Sequence, residues 1–183
     1  RFDGAEWQTY DIQNSDLPSN HIIGLAIDDQ GNKWIGTTGP LVRFDGEQWT
    51  DFSKVEGDEQ LKGNDFPGIS MDPAGDVWVS SGGSGGIAHF DGEHWTRYRQ
   101  DETPLPSRYA EEIFVDSQGT RWIGTREGVA KFDDNGWTIY DTSNSDLPGN
   151  WIWTITEDEF GNIWIGTSYG GLAVHREGGV LLP

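Results

Sequence analysis

Residues 31–37 carry the sequence GNKWIGT, and this phrase recurs three more times along the 183-residue chain. The copies are GTRWIGT at 119–125, GNIWIGT at 161–167 and the looser GDVWVSS at 75–81. The tryptophans of the four phrases are spaced by 42 to 44 residues, at positions 34, 78, 122 and 164. A second tryptophan series interleaves with the first, at positions 7, 49, 95 and 137. Self-similarity with this period and two fixed tryptophans per unit predicts a repeat protein.

Each repeat contains four short segments of strand character separated by turn residues. In the first unit these segments are 22–27, 33–37, 41–44 and 48–52. The intervening residues 28–31 and the pair Asp45-Gly46 are turn signals, since Gly accepts positive φ and Asp-Gly favours tight hairpins. We find no segment with helical periodicity of useful length. The sequence therefore predicts four-stranded antiparallel units in an all-β fold.

A sheet that is apolar on both faces is unstable alone in water, and stacking such sheets around an axis buries both faces. We therefore predict a β-propeller of four four-stranded antiparallel blades, with the tryptophans filling the gaps between neighbouring sheets. The blades are expected at approximately 20–53, 64–99, 107–141 and 150–177, in a single domain spanning residues 1–183.

The strand of the repeat unit that comes first in the sequence predicts how the propeller closes. Residues 1–10 have the sequence of a fourth strand without its first three, whereas residues 151–175 supply three strands followed only by the weak segment 180–182. We expect residues 1–11 to complete the last blade, which would remove an exposed sheet edge. A segment of a larger propeller would show the same phase and is the alternative.

Composition excludes several classes of function. Thirty-one Asp and Glu residues against twelve Lys and Arg give a net charge of -19, and such a surface repels nucleic acids and anionic membranes. No apolar run is long enough for a membrane helix, so no membrane insertion is expected. The absence of cysteine excludes disulfides and thiolate metal sites. We predict no cofactor and no metal, and the sequence leaves the oligomeric state open.

Several local motifs have a structural interpretation that outweighs a chemical one. Residues 82–86, GGSGG, match the Gly-x-Ser-x-Gly pattern of serine hydrolases but lack the strand-to-helix context that the nucleophile needs. The Asp-x-x-Gly turns at 28, 72, 116 and 158 lack the rest of a calcium loop and are expected to bind backbone N–H groups. The acidic segment 56–59 is expected to be a solvated loop. In Glu111 and Glu112, one carboxylate must face a blade interface or the channel, and we favour a solvated channel wall.

At one position of the repeat the four units have four different residues, although the neighbouring positions are similar. When the units are aligned on the turn aspartate, this position is the entry to the innermost strand, and it holds His21, Asp65, Tyr109 and Trp151. The residue before it is Asn in three units and Arg108 in the third, and the repeated Asn is interpreted as a cap. Because the entries of innermost strands gather at one mouth of the channel, turns on the same face should bring Arg126 and Tyr169 near. These positions are either a ligand site or an unconstrained surface.

The repeat pattern resembles the two-component regulator propeller repeat. The resemblance rests on Asp-x-x-Gly-Asn-x-Trp-Ile-Gly-Thr followed by Phe-Asp-Gly-x-x-Trp-x-x-Tyr, and the second unit departs from it at residues 79–81. It implies a bacterial, extracellular or periplasmic sensor module, with carbohydrates as a ligand class.

We therefore expect a non-catalytic module that binds a small molecule, carbohydrate, peptide or protein at the channel mouth. The expected ligand-binding residues are His21, Asp65, Arg108, Tyr109, Arg126, Trp151 and Tyr169. One alternative is an enzyme similar to the streptogramin lyases, for which this chain offers only His21 and the distant Glu111. Another alternative is a purely structural assembly module.

Overall fold

The computed structural model describes residues 6–53, 65–83 and 85–179, and this part of the chain is all-β. Blade 1 contains β1 (Ile22–Ile27), β2 (Lys33–Thr37), β3 (Leu41–Phe44) and β4 (Trp49–Asp51). Blade 2 contains β5 (Ile69–Met71), β6 (Val77–Ser81), β7 (Gly86–Phe90) and β8 (Trp95–Tyr98). Blade 3 contains β9 (Ala110–Val115), β10 (Arg121–Thr125), β11 (Gly128–Asp133) and β12 (Gly136–Tyr140). Blade 4 contains β13 (Ile152–Glu157), β14 (Ile163–Thr167) and β15 (Leu172–His175).

Each blade is an antiparallel meander whose strands pair in chain order. The first strands of successive blades are neighbours, so β1, β5, β9 and β13 form the innermost layer. The predicted all-β, four-bladed β-propeller is therefore confirmed. None of the described residues belongs to a helix with the length and apolar character of a membrane span.

The repeated Asp and Trp form a latch inside every blade. The Oδ2 atoms of Asp28, Asp72, Asp116 and Asp158 accept hydrogen bonds from the indole Nε1 atoms of the tryptophans six residues later, at 2.8–3.2 Å. The Oδ1 atom of each aspartate accepts backbone N–H groups of the same turn, such as Gln118 and Thr120 for Asp116. Burial would raise the pKa of Asp158, but hydrogen bonds from Trp164 and Asn162 outweigh it and lower the pKa to about 2. These turns have the structural role that the sequence predicts.

Removing one latch carboxylate should destabilise the protein measurably. Asp116→Ala leaves the Nε1 of the buried Trp122 without its acceptor, and an unsatisfied buried donor costs about 1–3 kcal/mol. Asp91→Ala is the control, because Asp91 accepts only the backbone N–H groups of Glu93 and His94 in an exposed hairpin. Denaturant unfolding should show the larger loss for Asp116→Ala; equal losses would contradict the latch.

Aromatic stacks fill the interfaces between blades. Trp34 of blade 1 stacks on Phe52 at 5.3 Å between ring centroids and meets Trp95 of blade 2 at 6.4 Å. The next interface joins Trp78 and Tyr98 to Phe132 and Trp137, and the third joins Trp122 and Tyr140 to His175. His175 therefore occupies a packing position. The prediction that every tryptophan fills such a gap is wrong for Trp7, whose side chain is 77% exposed.

The two end blades differ from the inner ones. Within the described residues, the sheet of blade 4 has the three strands β13, β14 and β15, rather than the four of the predicted closed blade. Residues 1–5 and 180–183, on which part of that prediction falls, lie outside the described residues. Leu25 on β1 is 65% exposed, whereas Ile113 and Ile155, at the same repeat position, are buried. The face of blade 1 that a closing blade would cover is therefore open.

The Gly-rich segment 82–86 runs into β7, which begins at Gly86, so a strand follows it in place of a helix. Its backbone holds the blade together, since the N–H of Gly82 donates to the carbonyl of Asp65. Gly86 has φ +72, and a Cβ there would come within 2.2 Å of the carbonyl oxygen of Tyr98. These contacts agree with a loop in place of a nucleophile elbow. Ser84 itself, and the acidic segment 56–59, lie outside the described residues.

Candidate functional site at the channel mouth

Backbone hydrogen bonds fix the variable position at the entry of the innermost strands. The carbonyl groups of His21, Asp65 and Trp151 accept the N–H groups of Thr38, Gly82 and Ser168, at 3.2, 3.1 and 2.8 Å. Each donor lies just after the second strand of its blade. The repeat therefore holds these side chains in equivalent places regardless of their chemistry.

The repeated asparagine before this position is a cap, as predicted. The Oδ1 of Asn20 accepts the N–H of Ile12 at 3.0 Å, and that of Asn150 accepts the N–H of Thr142 at 2.8 Å. Asn64, the third of these residues, lies outside the described part of the chain. In blade 3 the position is Arg108, whose exposed side chain is available for other contacts.

The predicted site residues divide into two groups. His21 and Asp65 lie at blades 1 and 2 and share Thr38, which contacts His21 Nδ1 through Oγ1 at 3.3 Å and forms a β-bridge with Asp65. The other five predicted residues form a continuous group at blades 3 and 4. Together with Trp153 they are called the mouth cluster, which consists of Arg108, Tyr109, Arg126, Trp151, Trp153 and Tyr169.

Arg126 lies at the centre of the mouth cluster. Its guanidinium carbon is 4.5 Å from the ring centroid of Tyr109 and 5.1 Å from that of Trp151, so one cation contacts the aromatic rings of two blades. Nε of Arg126 donates to Oε1 of Glu111 at 2.5 Å. Arg108 lies 4.8 Å from the Tyr109 ring and donates to its hydroxyl at 2.8 Å. These contacts hold the aromatic rings in place without covering the outer part of the cluster.

The outer part of the mouth cluster is exposed aromatic surface. Trp151 makes edge contacts with Trp153 at 6.2 Å and with Tyr169 at 6.1 Å between centroids. Trp153 is 61% exposed and Tyr169 is 90% exposed, and the three rings border a cavity of about 340 Å³. Contiguous exposed aromatic surface is uncommon on soluble proteins, so the mouth cluster is a candidate interaction site.

Trp153 was not among the residues predicted from sequence, although a signal for it exists. It lies only two residues after Trp151, at the register shift near the start of β13, and the two indole rings are in contact. The same spacing relates Tyr109 to Glu111, the carboxylate that holds Arg126. In the repeat this second position holds Ile23, Pro67, Glu111 and Trp153, so it varies as much as the first.

The prediction of a solvated channel wall is wrong for Glu112, whose carboxylate faces a blade interface. Its Oε1 accepts the N–H of Ile113 at 3.0 Å and lies beside blade 2, where a Cβ on Gly68 would approach it to 2.8 Å. Burial raises the pKa of Glu112 to about 7, against the hydrogen bond from Ile113, which lowers it. Glu112 therefore belongs to the interface between blades 2 and 3, and Glu111 alone belongs to the mouth.

The mouth offers recognition groups rather than a paired acid and base. The His21 ring contacts Thr38 and the Glu111 carboxylate contacts Arg126, so the two residues of the lyase hypothesis have separate partners. Exposed indole and phenol faces can stack on flat apolar groups, and the guanidinium groups and carboxylate supply hydrogen bonds.

Two further polar groups lie away from the mouth. Asp72, Asp76 and His89 have potential ligand atoms within 4.8 Å of one another, but Asp72 already accepts Trp78 and lies 3.7 Å from Arg121, which would oppose a cation. A cavity of about 660 Å³ at the other end of blades 3 and 4 is lined by acidic side chains. Two of those side chains pair within the chain, Glu157 with Ser117 and Glu177 with Lys131.

Comparison with known proteins places these features in context. Two extracellular domains of putative hybrid two component systems from B. thetaiotaomicron share the fold, with TM-scores of 0.78 and 0.71 and identities of 25% and 21% over 92% and 90% of this chain. The virginiamycin B lyase of Staphylococcus aureus matches 88% of the chain with a TM-score of 0.62 and 17% identity. The chain spans only 23%, 22% and 57% of the length of these three proteins. Among curated proteins, none matches it significantly.

The repeat type is defined by two segments of the chain. Residues 16–39 and 146–169 match the family model of the two component regulator propeller. Both segments run from the linker through the capping Asn and the innermost strand to the turn after the second strand. The resemblance seen in the sequence is thus confirmed for these segments of blades 1 and 4, which are similar to the two component regulator propeller repeat.

Proposed function

We propose that this chain is a non-catalytic recognition module of an extracytoplasmic sensor, and that it binds a carbohydrate at the mouth cluster. The observation that carries the proposal is the exposed Trp153–Trp151–Tyr169 surface bordering a cavity next to Arg126. The likeness to extracellular domains of putative hybrid two component systems supports the sensor class. The exposed indole and phenol rings support the ligand class.

A sugar fits the chemistry of the mouth cluster better than a nucleotide does. A pyranose ring presents a flat C–H face that stacks on an indole, and its hydroxyl groups accept and donate hydrogen bonds. Arg126 lies beside the Trp151 ring as a donor, and its partner Glu111 supplies an acceptor. A polyphosphate would meet a protein of net charge -19, which disfavours its approach.

The test is a fluorescence titration with a panel of soluble neutral oligosaccharides. At least one should change the tryptophan emission of the wild type, and Trp153→Ala and Trp151→Ala should each weaken its binding roughly thirtyfold, about 2 kcal/mol, as expected for an aromatic anchor. Trp153 is the cleaner substitution, because its exposed side chain contributes little to packing.

Two controls separate binding from folding. Phe160→Ala removes a partly exposed aromatic ring in the turn after β13, away from the mouth, and should leave affinity unchanged. Trp95→Phe alters a buried inter-blade position and should change stability alone. Binding that survives Trp153→Ala and Trp151→Ala, or a response only to peptides, would overturn the carbohydrate assignment. Turnover of the sugar would favour an enzyme.

A further inference from the structure

The mouth cluster holds more hydrogen-bond donors than the protein itself pairs. Arg126 uses its Nε donor for Glu111, and no described residue accepts a hydrogen bond from its two Nη atoms. The Arg126 side chain is 44% exposed, and its guanidinium carbon lies 5.1 Å from the centroid of the Trp151 ring. The Nη groups are therefore available to a ligand directly beside the aromatic surface.

Arg108 adds a second guanidinium to the same place. Its Nη2 donates to the hydroxyl of Tyr109 at 2.8 Å, and the Tyr109 ring is contacted by Arg108 at 4.8 Å and by Arg126 at 4.5 Å. Within the described part of the chain, no carboxylate forms an ion pair with Arg108. Two guanidinium groups thus contact one ring, and Glu111 neutralises only one of them.

Trp151 also lacks an acceptor for its indole N–H. Its Nε1 atom is shielded from water and has no hydrogen-bond partner, in contrast to the four latch tryptophans, whose Nε1 atoms donate to aspartates. An unsatisfied buried donor is destabilising, so this indole favours a ligand that brings an acceptor within its reach. Three side chains of the mouth cluster therefore have donors in excess of the acceptors that the protein supplies.

We propose that the carbohydrate bound at the mouth cluster carries a carboxylate, as a uronic acid does, and that Arg126 and Arg108 bind this group. The inference rests on the proposed function and names the class of sugar within it. An ionised carboxylate only accepts hydrogen bonds, up to four of them, and its geometry matches the planar fork of a guanidinium. Because Arg126 contacts the ring of Trp151, a sugar stacked on the aromatic surface brings a carboxylate on its edge next to the guanidinium.

The net charge of -19 does not cancel this local attraction. Charges of the protein beyond the Debye length, about 8 Å at physiological ionic strength, are largely screened, whereas the guanidinium groups contact the ligand. Charge-assisted hydrogen bonds are also about twice as strong as neutral ones. A sugar with one carboxylate is therefore favoured over its neutral counterpart, while a polyphosphate meets a larger long-range repulsion because it carries more charge.

Paired titrations test the carboxylate directly. Soluble oligosaccharides of uronic acids are each titrated beside their methyl ester, in which the carboxylate is masked and the sugar ring is unchanged, and binding is followed by tryptophan fluorescence. At least one acid should bind about tenfold to hundredfold more tightly than its ester, as expected for hydrogen bonds to a charged group. The ester should still bind through stacking.

Two arginine variants and one control assign this preference to the mouth. Arg108→Asn introduces the residue that the other three units have at this position, and Arg126→Gln keeps an amide donor for Glu111, so both should fold, as a melting curve will show. Each should lower the preference for the acid without weakening the binding of the ester. Lys33→Gln removes the same charge at the opposite end of blade 1, where Lys33 pairs with the last residue of β1, and should leave the preference unchanged.

The outcomes separate this inference from the proposed function. Trp153→Ala should weaken the acid and its ester alike, because it removes the stacking surface that both use. Equal binding of acids and esters, a preference that survives both arginine variants, or a preference lost in Lys33→Gln would overturn the carboxylate assignment and leave carbohydrate binding standing. Absence of binding by every acid, ester and neutral oligosaccharide would overturn the proposed function and this inference together.

Discussion

Replacing Trp122 by alanine should lower the free energy of unfolding by about 3–5 kcal/mol, the range for deleting a large buried aromatic side chain. Trp122 is 3% exposed, contacts His175 of the next blade at 5.2 Å, and donates its Nε1 hydrogen to Asp116. The substitution therefore removes an inter-blade anchor and leaves the latch carboxylate without its donor.

Denaturant unfolding of Trp122→Ala and Asp134→Ala measures this effect against a matched background. Asp134 is exposed in the hairpin between β11 and β12, so its loss should cost less than about 0.5 kcal/mol. Similar costs for both variants would mean that the tryptophans do not hold the blades together.

Glu112→Gln should raise the free energy of unfolding by about 3 kcal/mol more at pH 8 than at pH 4.5. In the folded protein the pKa of Glu112 is raised by burial to about 7, whereas the ordinary value is 4.5. The folded state therefore holds a proton that the unfolded chain has lost, and the wild type loses stability as the pH rises from 4.5 through 7. Glutamine keeps an acceptor for the N–H of Ile113 and cannot ionise.

The free energy of unfolding is measured for the wild type and for Glu112→Gln at pH 4.5 and pH 8. The difference between the two proteins at pH 8 is then compared with their difference at pH 4.5, so that the contributions of all other titrating groups cancel in this double difference. The carboxyl carbon resonance of Glu112, followed by NMR, should titrate near pH 7. A double difference near zero, or titration near pH 4.5, would show that the carboxylate is solvated.

The repeat phrase was sufficient to predict the blades because its information is local. Asp28 and Trp34 are joined by a hydrogen bond across six residues, and the glycine between them supports the turn with φ +80. Spacing alone therefore predicts the turn, the strand and the inward tryptophan. The same locality explains why the turn aspartates were correctly interpreted as structural.

Closure could not be predicted in this way. Whether blade 4 reaches blade 1 depends on small rotations accumulated over three interfaces, and no single repeat encodes their sum. Leu25 and Leu172 are exposed in the structure, and residues 1–5, on which the predicted closure partly falls, lie outside the described residues.

The mouth was predicted in part because strand entries share one end of the innermost layer. The short spacing would have suggested Trp153 as a neighbour of Trp151. Strict alternation along the strand could not have placed either Trp153 or Glu112, because β13 and β9 both shift register at this point of the repeat. A carboxylate in an apolar strand was visible in the sequence, but its direction was not.

The most direct test of the mouth cluster is a two-dimensional NMR spectrum of the indole N–H groups during titration with an oligosaccharide that binds. The signals of Trp34, Trp78 and Trp122, whose Nε1 atoms are held by the latch aspartates, serve as internal references. We predict that the signals of Trp151 and Trp153 shift with ligand concentration while the references stay in place. Shifts confined to other tryptophans, with Trp151 and Trp153 unchanged at saturation, would contradict binding at the mouth.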